Sequence, residues 1–557
     1  MKHFIVILSL IFFAIGAKSQ HMPLVKTNDG ELEGINESGI KIFKGIPFAS
    51  PPIGELRWKA PRAVKKWEGV RKAQKFGPNP MQEHVYGDMN FGTEIMSEDC
   101  LYLNIWTPAK TMHEKLPVFI YFNGGGLVAG SGSEARYAGL SMARRGIVAI
   151  TANYREGIFG FFSHPQLSKE TYYKGSGNYG FMDQAAAIRW VKENISVFGG
   201  DPNRITIMGE SSGSESVSAL MVSPLSRNLV NQAMGSSGSV LGLKKIATLT
   251  EAERAGEKLA KKIGCNKIED LRAMPAEELM KRASLKDDIL YNVDGYFITE
   301  QPEITFAKGK QAHIPCLIGN NSTEMLPQYM FNGKPMTMEN LKLIVEENMR
   351  LPAENVLSLY GIHSDSDIIT LSGCQLASDM FVVFSTWKWA DMQQKTCGEP
   401  VYRYIYCHPR PKIVEDNVVD TDRGMQKEKN DVMQPLIIGA VHSADIEYEM
   451  GTLPTNRVFA WDADDYAVSD IFESYFVNFI KTGNPNGLGL PDWQPANDQL
   501  TTPVMYIGLD THLGEDTIME KRYRIIDAAK TNLHQMHFGN SVDATYDSIL
   551  TTPFCPQ

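Results

Sequence analysis

The chain has 557 residues, 43% of them apolar and 22% charged, with a formal net charge of −10. This mix is ordinary for a globular protein, and the length suffices to bury a large core without covalent staples. The acidic balance argues against nucleic acid as a partner, because there is no basic excess to neutralise phosphates.

In chain order, residues 1–19 read as an export signal. Lys2 and His3 make a short positive start, and Phe4 to Ala17 is an apolar run broken only by Ser9 and Gly16. Ala17-Lys18-Ser19 puts small residues at the two cleavage-specifying positions, which sets the cut between Ser19 and Gln20. The run is shorter than the roughly 20 residues a spanning helix needs. The expected product, residues 20–557, is a secreted or periplasmic protein with no stable membrane anchor. Pro117 to Phe122 (PVFIYF), Ile147 to Ala152 (IVAITA) and Arg204 to Met208 (RITIM) are short runs rich in β-formers and flanked by Gly, Pro or Asn. Buried strands have this signature. Between the second and third, Ile188, Val191, Ile195 and Phe198 repeat at helical spacing within 183–198, and Gly199-Gly200-Asp201-Pro202 stops that helix. A strand, a helix and a strand in succession predict a mostly parallel sheet with right-handed crossovers. A charged, helix-rich stretch over 249–282 is expected outside the sheet. Ile314 to Ile318 (IPCLI) and Val401 to Tyr406 (VYRYIY) read as further strands. No linker is long or polar enough to divide the chain.

Seven cysteines occur, at 100, 265, 316, 374, 397, 407 and 555. The number is odd, and none forms a Cys-x-x-Cys pair or a Cys/His cluster with metal-ligand spacing. Neither a metal nor an organic cofactor is expected.

Two segments carry chemistry. Gly209-Glu210-Ser211-Ser212-Gly213 fits G-x-S-x-G, follows the strand RITIM and precedes a helix-forming stretch from Glu215 to Met221. That strand–turn–helix setting exposes a serine hydroxyl as a nucleophile. Asn123-Gly124-Gly125-Gly126 follows the strand PVFIYF and leaves backbone N–H groups bare. Acyl transfer needs such donors where charge develops on the substrate oxygen, and the N–H groups of Gly125, Gly126 and Ser212 are expected to supply them as an oxyanion hole. A serine also needs a base, and the base an orienting acid. Twelve histidines compete for the first role.

These stretches, together with GIPFASPPIGELRW (45–58), SEDCLYLNIW (97–106), NYREGIFGF (153–161), the run 177–213 and KTGNPN (481–486), resemble the type-B carboxylesterase family. The resemblance implies an α/β-hydrolase fold over 20–557. It also implies hydrolysis of small-molecule carboxylic esters through a Ser–His–Glu triad and an acyl-enzyme. On the family pattern the acid is Glu324, in Gly319-Asn320-Asn321-Ser322-Thr323-Glu324, and the base is His442, in Gly439-Ala440-Val441-His442. His164 is the reserve base and Asp445 the reserve acid. Arg57 and Glu98 match positions that form a structural ion pair. Two other readings compete: a lipase working at lipid interfaces, and an inactive family member serving in adhesion. The second class usually loses the nucleophile or the histidine, and here both are present.

Four departures stand out. Asn123 replaces the usual histidine before the glycines and Leu127 the usual aromatic after them, so an altered acyl pocket is expected. Ser212 replaces the common alanine. Met81 stands where relatives carry the partner of Cys100, and Cys265 also lacks a counterpart, so both thiols are expected free. Asn90 and Phe91 stand where cholinesterases hold a tryptophan for quaternary ammonium, which disfavours choline esters.

Overall fold

A computed structural model describes residues 22–87, 89–283, 289, 291–414, 418–419, 426–427 and 439–537, with backbone alone at 418–419, 426–427 and 532–537. Residues 1–19, expected to be an export signal, lie outside the described residues, as does Cys555. The frame is a sheet of eleven strands. In chain order they are β1 (Ile35–Glu37), β2 (Ile40–Pro47), β3 (Tyr102–Thr107), β4 (Leu116–Phe122), β5 (Val148–Ala152), β6 (Gly200–Glu210), β7 (Gln232–Ser236), β8 (Cys316–Asn321), β9 (Val401–Tyr406), β10 (Pro503–Ile507) and β11 (His512–Glu515). Across the sheet the order is β11-β10-β9-β8-β7-β6-β4-β5-β3-β2-β1. The pairings from β5 through β4, β6, β7, β8 and β9 to β10 are parallel. The flanking strands pair antiparallel. This is the mostly parallel sheet that the strand–helix–strand pattern predicts.

Strand β4 shows why the sheet is covered on both sides. Successive side chains of a strand point to opposite faces. Val118, Ile120 and Phe122 enter one core with Ile150, Ile205 and Ile207. Phe119 and Tyr121 enter a second core with Met208 and Met234. The first face is closed by α1 (Tyr179–Asn194) and α2 (Ser212–Val222), the second by α3 (Ala463–Thr482), which contributes Phe472 and Phe476. A third core, mostly of helices, gathers Leu341, Val345, Leu357, Trp387 and Tyr523.

Several boundaries differ from the sequence pattern. The stretch expected as one helix over 183–198 is α1 followed by a 3₁₀ turn, Ile195–Phe198. Its four periodic residues are nonetheless all buried, because the tighter turn keeps Ile195 and Phe198 on the same side. Gly199, at φ 83°, ends the run as expected. Strand β6 begins four residues before RITIM, because Gly200 already pairs with Leu116 across a register shift in β4. The 249–282 region forms three helices, Leu249–Ile263, Ile268–Ala273 and Ala276–Arg282.

Candidate active site

Parallel strands deliver their C-terminal ends to one edge of the sheet, where ligands bind in open α/β folds. Here that edge collects the residues after β4, β6, β7 and β8. Ser211 sits between β6 and α2 with φ 56° and ψ −125°, a strained conformation for a residue bearing Cβ. The glycines on either side permit the turn. A Cβ on Gly209 would lie 2.3 Å from the carbonyl carbon of Gly213, and one on Gly213 would lie 2.3 Å from the Phe122 carbonyl oxygen. The pentapeptide is thus a steric requirement of a helix packed against the strand it follows.

The sequence-assigned partners meet here. His442 Nε2 lies 2.9 Å from Ser211 Oγ, and His442 Nδ1 lies 2.6 Å from Glu324 Oε2. The other Glu324 oxygen accepts from the Asn321 N–H at 2.6 Å and from Ser237 Oγ at 2.5 Å. Glu324 is fully buried and His442 is 7% exposed. The loops that carry them are clipped together. The Thr323 N–H donates to the Ala440 carbonyl at 2.9 Å, and Asn321 Nδ2 to the Val441 carbonyl at 2.8 Å. Arg410 holds the Ser443 carbonyl at 2.6 Å and Glu447 at 2.9 Å.

The reserve residues lie elsewhere in the hydrogen-bond scheme. Asp445 accepts from Asn321 Nδ2 at 3.1 Å and is not the carboxylate bonded to the imidazole. His164 caps the short helix Pro165–Glu170, its Nδ1 accepting from the Gln166 N–H at 3.2 Å. Arg57 and Glu98 form the expected pair, a two-pronged contact at 2.6 and 2.5 Å. Asn123 bonds neighbouring backbone, its Nδ2 donating to the Gly124 carbonyl at 3.0 Å. Cys100 and Cys265 are free, and Met81 lines the same small cavity as Cys100.

Two neighbours of His442 escape sequence reasoning. Glu210 Oε1 lies 3.4 Å from His442 Nε2 and accepts from Ser443 Oγ at 2.7 Å. It sits inside the pentapeptide, at a position the motif leaves unspecified. The Phe381 ring stands edge-on to the imidazole, with centroids 4.8 Å apart. It comes from a π-helical turn, Asp379–Val383, which no local signal announces. The charges set the base. Burial works against a charged imidazole, but Glu210 and Glu324 outweigh it and raise His442 to about 9.

The glycine loop 124–126 runs beside the nucleophile elbow, where a Cβ on Gly124 would stand 3.1 Å from the Ser211 Cβ. Among the described residues, no hydrogen bond is donated by the N–H groups of Gly125, Gly126 or Ser212. The Leu127 N–H instead donates to Ser212 Oγ at 3.1 Å, so the serine after the nucleophile ties the glycine loop to the elbow. A cavity of about 250 Å³ opens beside Gly126, lined by Met81, Val128, Ile158, Phe159 and Met280 among others.

The sequence profile of the Carboxylesterase family matches residues 21–526. The chain belongs to the carboxylesterase family. It is 30% identical over 521 residues to the para-nitrobenzyl esterase of Bacillus subtilis, covering 90% of this chain and 98% of that one. It is 40% identical over 323 residues to fumonisin B1 esterase from Sphingopyxis macrogoltabida, a match spanning 56% of this chain and 58% of that relative. Among solved structures, carboxylesterase EST55 of Geobacillus stearothermophilus superimposes with a TM-score of 0.76 at 31% identity, over 90% of this chain and 99% of that one. This carboxylesterase has the α/β-hydrolase fold and is a carboxylic ester hydrolase of the serine type. Among the described residues, no helix is long and apolar enough to cross a membrane.

Proposed function

We propose that this carboxylesterase cleaves small-molecule esters through Ser211, His442 and Glu324, with an oxyanion hole formed by the N–H groups of Gly125, Gly126 and Ser212. The observation that carries the reading is the hydrogen-bond chain from Ser211 Oγ through the imidazole to Glu324, at 2.9 and 2.6 Å. Neutral His442 takes the serine proton as Oγ attacks the ester carbonyl. The carbonyl oxygen becomes an oxyanion against the three N–H groups. Imidazolium then protonates the departing alcohol, leaving an acyl-serine. Water enters, gives its proton to His442 and attacks the acyl carbon; the imidazolium then returns the proton to Ser211 Oγ as the acid leaves. Glu324 holds the Nδ1–H tautomer and stabilises the charged ring. The 250 Å³ cavity beside Gly126, where Val128, Ile158 and Phe159 share the wall with the polar Gln82 and Glu83, offers room for one arm of the ester.

A fluorophosphonate phosphonylates an activated serine, so mapping the adduct tests the assignment. The label is expected on Ser211 and absent from Ser211→Ala. Folded wild-type protein that takes no label, or takes it elsewhere, refutes the assignment.

We also propose that residues 20–557 form one α/β-hydrolase domain and that the product is exported after cleavage following Ser19. The charged start, the apolar run and the small residues at 17 and 19 support export. Mass measurement of the product from an exporting host should give an N-terminus at Gln20; retention of Met1 refutes it.

A further inference from the structure

Beneath the glycine loop lies a buried acidic side chain that the reaction scheme does not use. Glu156 is fully buried in the segment after β5. Its Oε1 accepts from Asn123 Nδ2 at 3.1 Å. Two atoms beside this bond lack partners among the described residues: Glu156 Oε2 and Asn123 Oδ1. Both are acceptors if Glu156 is ionised, and a buried acceptor without a donor is destabilising. A single proton on Glu156 Oε2 would satisfy both. The acid and the amide would then form a closed ring of two hydrogen bonds, Nδ2–H to Oε1 and Oε2–H to Oδ1.

We propose that Glu156 is a protonated positioning residue, paired reciprocally with Asn123, which sets the oxyanion loop without placing a charge beneath it. The connections run directly to the donors. Asn123 Nδ2 also holds the Gly124 carbonyl at 3.0 Å, and Tyr154 Oη donates to the Asn123 carbonyl at 2.8 Å. The Gly157 N–H, next to Glu156, donates to the Leu127 carbonyl at 2.7 Å. The residues on both sides of Gly125 and Gly126 are therefore anchored to the 154–157 segment. An ionised Glu156 would oppose the negative charge that the loop must stabilise.

The surroundings favour the proton. Burial pushes the Glu156 carboxyl well above the usual range, and the polar groups of Asn123 and Tyr154 beside it pull it back only in part. The nearest cations are Arg155, which holds Asp183 with Nε and Nη2 at 2.7 and 2.8 Å and leaves Nη1 without a partner among the described residues, and Arg57, paired with Glu98; neither counts among the causes of the Glu156 shift. The remaining titratable neighbours, Cys100 and Tyr154, are buried, and burial pushes both well above their ordinary range. None supplies a compensating positive charge.

The pairing also accounts for Asn123 at the head of the glycine run. An asparagine offers a donor and an acceptor side by side, and a carboxylic acid presents the complement.

The test is infrared difference spectroscopy of the wild type against Glu156→Gln near neutral pH, combined with kcat and KM profiles. A protonated-carboxyl C=O band should be present in the wild type and lost in the variant. A difference confined to carboxylate bands overturns the proposal. Glutamine can reproduce both hydrogen bonds, so Glu156→Gln should keep kcat within about threefold, while Glu156→Leu should lower kcat about tenfold or more with little change in KM. Equal damage from the two variants overturns the positioning role. Asn123→Ala gives a check that does not need a folded Glu156→Gln: the band should persist and move to higher frequency as its carbonyl loses a donor. A missing band there counts against the proposal. The inference rests on reading this loop as the oxyanion site. If that reading fails, the infrared band survives and only the kinetic difference between glutamine and leucine disappears.

Discussion

The charge balance around His442 decides when the base can work. An imidazole must be neutral to take the proton of Ser211, and the adjacent carboxylates favour its charged form. With His442 raised to about 9 by Glu210 and Glu324 against the opposing effect of burial, kcat/KM should climb with pH well past the ordinary histidine range. Glu210→Gln removes one of the negative charges, so the acid limb of kcat/KM should move to lower pH; a limb that stays in place would show that Glu210 does not set the base. Glu324→Gln keeps the shape but loses the acceptor for Nδ1–H, and turnover should fall by about 10³–10⁴ with folding intact. Near-normal turnover would transfer the orienting role to Asp445. Ser211 and the glycine loop were legible in the bare sequence because their chemistry is local. Glu324 and His442 were legible only through the family pattern, since no spacing rule links residues that meet through folding. Glu210 and Glu156 were not read at all. A glutamate reveals nothing about its role until its burial is known.

At the level of the element, the elbow depends on how closely α2 approaches β4. A Cβ at position 213 would stand 2.3 Å from the Phe122 carbonyl oxygen, a contact that only backbone movement can relieve. Gly213→Ala should therefore displace the N-terminus of α2, and with it Ser211 and the Ser212 N–H. A misplacement near 1 Å suffices to cost about 10²-fold, so turnover should drop by at least that much while circular dichroism stays near wild type. Wild-type turnover would contradict the packing argument. The central strands were legible for a related reason. Buried on both faces, β4 and β5 read as nearly continuous apolar or aromatic runs. Strand β2, next to the edge strand β1, did not, because Lys41, Lys44 and Gly45 interrupt it and its pairing with β3 shifts between Phe43 and Ile46. The π-turn that brings Phe381 to His442 was equally hidden. Its sequence continues the helices on either side, and its anchor, Asp379, is held by the hydroxyls of Tyr360 and Tyr523, each at 2.7 Å.

At the scale of the whole molecule, the described residues are held together by three apolar cores, with no disulfide among them. The six cysteines among the described residues are free, five of them buried, and Cys407 is partly exposed. Alkylation after denaturation, without a reductant, should label all six; protection of a pair would reveal a disulfide. In the native state the buried thiols should react slowly, since burial holds Cys100 and Cys316 well above their ordinary range and raises Cys407 to about 11, leaving little thiolate. The sequence already suggested that Cys100 and Cys265 stand alone. It did not indicate how the cores divide, because the helical core draws on segments more than a hundred residues apart.

The contact between Ser211 and His442 closes a loop of 231 residues. Contacts of such separation form late, since their chain entropy must be lost before packing compensates. On the proposed triad, a nascent chain shorter than 442 residues holds a serine with no base. A full-length chain crossing a membrane unfolded is equally inert. The hydrolase is therefore its own safety catch, and ester turnover measured on this protein doubles as an assay of whether its most distant segments have met.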